Sequence, residues 1–186
     1  MITNILSHIK TFLYYKWIFG GFDNTALLIN PLKIDNPKSI FVGKKTYIGH
    51  CAWLMGNMSG EKTTLDIGEY VQIGHFSHIV ALNNVKLENS VLLADKVFIT
   101  DCTHEYENIH VPILEQGVKI LKSVTIGEGS WLGENVCVCG ASIGKHCVIG
   151  ANSVVTKDIP DYCVAAGSPA KVIKRYNFEK CTWESC

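Results

Sequence analysis

With 186 residues, 17 Lys plus Arg and 17 Asp plus Glu, the chain is long enough for one domain with a real core. Its zero formal charge supplies no field to draw in nucleic acid or a strongly acidic surface. The eight cysteines would suit a secreted disulfide framework, but Met1 to Leu6 lacks the pattern of a secretory leader, so reduced thiols in the cytoplasm are expected. No apolar run reaches the ~18 residues that suggest a bilayer span, which leaves a soluble or at most peripheral protein.

Residues 2–19 place Ile5, Ile9, Phe12 and Leu13 at helical spacing, with Asn4, Lys10 and Lys16 elsewhere on the wheel, and predict an amphipathic helix. Its apolar stripe has two readings: packing on the body or a neighbouring subunit, or peripheral contact with a membrane surface, where aromatic residues and Lys suit the interface. Gly20 and Gly21 end the helix, and Asn30-Pro31 and Asn36-Pro37 mark turns.

From Val42-Gly43 an aliphatic residue then returns every six positions. It appears as Ile48-Gly49, Ile67-Gly68 and Ile73-Gly74, as Ile79, and without glycine as Leu87, Leu93 and Ile99. The richest stretch, Val124 to Pro160, carries Ile126-Gly127, Leu132-Gly133, Ile143-Gly144 and Ile149-Gly150. A period of six is neither a helix nor an ordinary strand. It is one supersecondary unit stacked many times, each coil burying its inward row only against its neighbours. The fifth position of the hexad is small or branched, as at Thr46, Val71, Ser77, Val91, Val97, Ser130, Val136, Cys147 and Ser153. Corresponding pairs at Ile67, Leu87, Ile126 and Ile143 give coils of 17 to 20 residues where uninterrupted, so three hexads close one triangular turn of a parallel β-helix. Period alone does not fix its hand.

Two insertions break the repeat. Residues 55–64 are polar with two glycines and read as an expelled loop. Ile99 and Ile120 stand 21 apart where the repeat predicts six, so 102–117, CTHEYENIHVPILEQG, must leave the prism. A loop that long in a compact repeat is more often functional than idle. After Pro160 the period stops, and Ser168-Pro169 offers an N-cap and a first helical position, predicting that AKVIKRY opens a capping helix. The expected boundaries are a helical segment at 1–30, the β-helix at 31–167, and a helix and tail at 168–186.

The segments SVTIGEGSWLGENVCV, SIGKHCVIGANSVVTKDIP, AAGSPAKVI and ITDCTHEYENIHVPI resemble the bacterial hexapeptide-repeat acyltransferases over about residues 30–176. The similarity is closest to the sugar and xenobiotic O-acetyltransferase branch, which includes galactoside, maltose and polysaccharide acetyltransferases. The resemblance implies an all-β, left-handed parallel β-helix, a homotrimer, and acetyl-CoA as co-substrate in clefts between adjacent prisms. Two departures stand out: the step from Val138 to Ile143 is five residues, not six, and the N-terminal helix differs from the family's.

Transfer of an acetyl group to a hydroxyl needs a base that works near neutrality, and His, with a pKa near ~6.5, suits it. By resemblance His104 matches the catalytic His, with Asp101 and Glu105 as candidates for orienting its imidazole. Gly133, Ala151, Thr156 and Lys157 match CoA-binding positions, with Lys171 and Arg175 as candidate phosphate partners. Repeat geometry and solubility explain the same residues without a ligand. Asn83 and Asn84, His110 and Trp131 are acceptor candidates, against the plainer readings of turn preference, loop surface and packing.

A zinc reading through His75, His78, His104 and His110 resembles the γ-class carbonic anhydrases, but the later pair is spaced six apart rather than five, so no metal is expected. Cys137 and Cys139 share a strand face and read as packing. The expected function is CoA-dependent O-acetylation of a sugar or glycan precursor, the rivals being a xenobiotic acetyltransferase, a zinc hydratase and a silent scaffold.

Overall fold

The structure, a computed structural model, describes residues 9, 11–57 and 64–186. Residues 13–19 and the prism that follows account for the core. Three parallel ladders form the faces of the prism. On the first face Phe22, Val42, Ile67, Leu87 and Ile126 lie in register and continue through single bridges to Ile143 and Ile159. On the second, Leu28, Ile48, Ile73, Leu93, Leu132, Ile149 and Ala165 stack. On the third, Ile34, Leu54, Ile79, Ile99, Val138 and Val155 do so. Nearly all these side chains are buried, which is the hexad rule made visible: the aliphatic position points inward on every face.

The corners explain the other positions of the hexad. The fourth residue turns the chain in the left-handed region, at Lys45, Cys51, Tyr70, Phe76, Asn135 and Asn152 among others, and few of these positions are glycine. The glycine at the second position serves something else. A Cβ on Gly127 would lie 2.5 Å from the Gly144 carbonyl carbon of the next coil, so that position is small because coils approach closely there. The fifth residue is buried under the corner, and where it is Ser or Thr its hydroxyl donates to a carbonyl: Thr46 Oγ1 to Gly68 at 2.8 Å and Ser130 Oγ to Gly144 at 2.7 Å.

Three expectations need correction. The prism begins at Gly21–Phe22 rather than at residue 31, because Phe22, Leu28 and Ile34 form a first coil that keeps the spacing of six but lacks glycine. Ahead of it, Thr11–Tyr15 and Lys16–Ile18 are helical. Of the expected stripe, Ile9 and Leu13 are exposed, while Ile5 and the side chain of Phe12 lie outside the described residues. Tyr15 and Phe19 instead close the prism's end against Phe22, with ring centroids 5.0 to 5.9 Å apart.

The second correction concerns the insertion. It returns to the prism at Val124, not at Ile120. Cys102–His104 pairs antiparallel with Val118–Ile120, so the insertion closes itself with its own ladder and Ile120 is half exposed. Ile113–Gln116 is a short helix within it.

The third is the C-terminus, where no capping helix forms. Ala170–Asn177 is extended and lies antiparallel on Cys163–Gly167, and Thr182–Ser185 pairs with it in turn. β-branched and aromatic residues at Val172, Ile173 and Tyr176 favour a strand, and the last rung's unpaired backbone groups give that strand a partner. The tertiary edge overrides the cap signal of Ser168-Pro169.

Candidate active site

His104 ends the outgoing strand of the insertion, opposite Val118, with its side chain exposed. Beside it opens a cleft of about 560 Å³. His104 and Tyr106 contribute from the insertion, and Met55, Val80, Phe98 and Cys139 from the outward side of the third face. These wall residues alternate with the buried ladder, so each rung that sends one aliphatic residue into the core sends its neighbours toward the cleft. The wall is mostly apolar, as ligand clefts commonly are. A larger open groove of about 720 Å³ runs along the first face, but Asp23, Lys44, Asp66 and Glu69 line it and no candidate catalytic residue does. The candidate His104 thus falls on the smaller cleft.

Asp101 is fully buried at the root of the insertion. Its Oδ1 accepts the Leu82 amide at 2.9 Å, and its Oδ2 accepts those of Asn83 at 2.7 Å and Asn84 at 2.6 Å. This carboxylate shapes the turn one coil below, a role different from steering the imidazole. Three charge-assisted bonds offset the desolvation of the charge. The turn so held presents Asn83 and Asn84 to solvent, with Asn83 Nδ2 3.2 Å from Ser123 Oγ and the Asn84 carbonyl accepting the Val124 amide at 2.9 Å. Asp101 thus ties both ends of the insertion to the Asn pair. Glu105 lies 3.6 Å from Lys119 across the insertion's ladder, and Lys119 also meets Glu107 at 2.9 Å. His110 is on the exposed turn, where its amide donates to Asn108 Oδ1, and it does not line the cleft.

The donor candidates fall elsewhere. Gly133 and Ala151 stack at the corner between the second and third faces, where a Cβ on Gly133 would lie 2.7 Å from the Ala151 amide. Thr156 and Lys157 occupy the corner after the third face, next to Asp158, which accepts the Ser142 amide at 2.8 Å. Lys171 and Arg175 sit on the C-terminal strand, with Arg175 Nη1 3.4 Å from Cys163 Sγ. None of the six lines the His104 cleft. Trp131 stands outward on the second face between Leu92 and Val148, 47% exposed.

The His residues of the zinc reading do not converge. His75 Nδ1 accepts the His50 amide at 2.9 Å, whereas His78 stacks on Trp53 at 4.1 Å on the third face, its Nε2 buried with no hydrogen-bond partner among the described residues. Burial holds the His78 pKa below its ordinary value. Among the described residues no group of three His, Cys, Asp or Glu could hold a metal. Sequence reasoning missed Tyr106, Met55, Val80 and Phe98. The available signal was the apolar character of Met55, Val80 and Phe98, each beside an inward position of the repeat.

A repeat prism with a His-bearing insertion over an apolar cleft defines the hexapeptide-repeat class, and comparison with known proteins agrees. The hexapeptide repeat of succinyl-transferase matches residues 123–157. Over 121 residues the chain is 43% identical to WbbJ of Escherichia coli K12, named for O-acetyl transfer in lipopolysaccharide biosynthesis; the match covers 61% of this chain and 62% of that one. The chain thus spans less than two thirds of that relative. To the galactoside O-acetyltransferase of the same organism it is 30% identical over 150 residues, 80% of this chain and 72% of the relative. The solved structure of AntD, an N-acyltransferase from Bacillus cereus in complex with dTDP and 3-hydroxybutyryl-CoA, shares the fold at TM-score 0.74 and 19% identity, over 89% and 87% of the two chains. The chain belongs to the hexapeptide-repeat acyltransferase family, in the branch of the sugar O-acetyltransferases.

Proposed function

We propose that the protein is a CoA-dependent O-acetyltransferase that acts on a hydroxyl of a sugar or glycan precursor, in the cytoplasm and without a metal. The observation that carries this reading is the placement of His104 on an insertion at the mouth of an apolar cleft. The similarity to WbbJ and to the galactoside enzyme supports the acceptor class. A ring nitrogen of His104 takes the proton of the acceptor hydroxyl as its oxygen attacks the thioester carbonyl. The tetrahedral intermediate then expels the CoA thiolate, and donors in the cleft stabilise the oxyanion. Asn83 and Asn84 meet the acceptor, while Ala151, Thr156 and Lys157 meet CoA.

Because Gly133 and Ala151 sit at a different corner from the cleft, the reading includes a homotrimer of left-handed prisms in which one copy's cleft faces its neighbour's donor corner. The test is release of free CoA thiol from acetyl-CoA with a panel of sugars. His104→Ala should lower release by roughly two to four orders of magnitude and leave CoA binding intact; turnover near the wild-type rate in that variant would sink the mechanism. Among the described residues no helix is long and apolar enough to cross a membrane.

A further inference from the structure

The wall of the His104 cleft carries sulfur. Cys137 and Cys139 alternate on one strand of the third face, so both side chains point outward, and their Sγ atoms stand 3.5 Å apart. Both are half-buried, and Cys139 lines the cleft together with Cys102. Phe98 and Val154 flank Cys137 on the neighbouring coils, which makes its surroundings apolar. The two thiols share a hydrogen bond in which either sulfur can donate, and this contact lowers the pKa of Cys137 and raises that of Cys139.

The separation selects among the fates open to such a pair. A disulfide needs sulfurs ~2.05 Å apart and Cα atoms no more than ~6.8 Å apart. Residues two apart on a strand rising ~3.3 Å each lie near that limit. Closing the bond would twist the strand out of its ladder with Phe98 and Val154. A single atom bridging both sulfurs fits with little movement: two thiolates each ~2.3 Å from a tetrahedral centre stand ~3.8 Å apart. The tighter angle at pyramidal trivalent arsenic brings them nearer the observed spacing.

We propose that Cys137 and Cys139 form a two-thiol site for a soft trivalent centre of the arsenoxide class, bound across both sulfurs, and that its occupation obstructs the cleft beside His104. An arsenoxide reacts with two thiols to form two As–S bonds, its oxygen leaves as water with both thiol protons, and arsenic stays trivalent. No oxidant is needed. The obstruction, unlike the site, rests on the acyl-transfer reading.

Phenylarsine oxide is the probe, applied at one equivalent to the full chain and followed by mass spectrometry of peptides. The expected adduct maps to the peptide holding residues 137 and 139, survives a monothiol, is released by a dithiol, and is kept by Cys102→Ser but lost from both Cys137→Ser and Cys139→Ser. Release by the monothiol, or retention in either of the last two variants, overturns the site. The adduct's peptide and its thiol sensitivity are read on the wild-type chain, so the site stays testable if a variant fails to fold, and this arm is independent of any turnover. In the second arm acetyl-CoA turnover should fall in proportion to the adduct. Undiminished turnover by fully modified protein overturns the obstruction.

Discussion

Asp101 and His104 are three residues apart and do unlike work. The buried carboxylate of Asp101 receives three amides from one coil below. Replacing it by Ala leaves those donors unsatisfied, at ~1–3 kcal/mol each before relaxation, so Asp101→Ala should lower the urea midpoint sharply. His104 is exposed, and His104→Ala should shift stability by no more than ~0.5 kcal/mol while lowering kcat by roughly two to four orders of magnitude. Urea melts and turnover on the same preparations separate structural loss from catalytic loss.

His78 adds a pH dependence. Burial depresses its folded pKa, so below its unfolded value near ~6.5 the unfolded chain binds the proton first and stability falls as pH falls. Above ~6.5 both states are neutral and this contribution is level. His78→Phe should flatten the slope of denaturation midpoints below pH ~6.5, by linkage of at most one proton; an unchanged slope would remove His78 as its source.

At the scale of elements, glycine's role in the hexad is close approach rather than turning. Gly127→Val would press its side chain into the Gly144 backbone and should cost at least ~1–3 kcal/mol. Gly117 offers a control, since at φ +90 a new Cβ there meets open space and strains only the local backbone of the insertion. The C-terminal strands cover the last rung of the second face. Ending the chain after Gly167 should uncover that edge and promote self-association, which light scattering would register.

The same elements show how legible the fold was. Wherever an aliphatic–Gly pair recurs, sequence reading placed the coil and its inward residue correctly. The coil of Phe22, Leu28 and Ile34 escaped because it lacks glycine and opens on an aromatic residue, with no marked hexad before it to set the register. The return at Val124 escaped because Ile120 stands six before Ile126 by coincidence while pairing within the insertion.

At the scale of the whole molecule the prediction concerns a shared site. If His104 of one copy works with the Ala151 corner of the next, His104→Ala and Ala151→Glu should each be inactive alone. Random mixing in a trimer would then restore roughly a quarter of the sites. No recovery after mixed refolding would place both halves of the site within one chain. Sedimentation of the wild type gives the number of copies directly.

The sequence by itself determined the prism, its inward rows, its buried fifth positions and the insertion that carries His104, because each is a short-range periodicity or a break in one. Only the tertiary structure decided what the outward side chains do. It put Met55, Val80, Phe98 and Cys139, from four separate coils, on one cleft wall with His104. It turned Asp101 toward the Asn83–Asn84 turn and made the final segment a strand. The physical reason is the same throughout: a repeat fixes which residues face inward, but contacts between coils and the satisfaction of open backbone edges are settled by parts of the chain far apart in sequence.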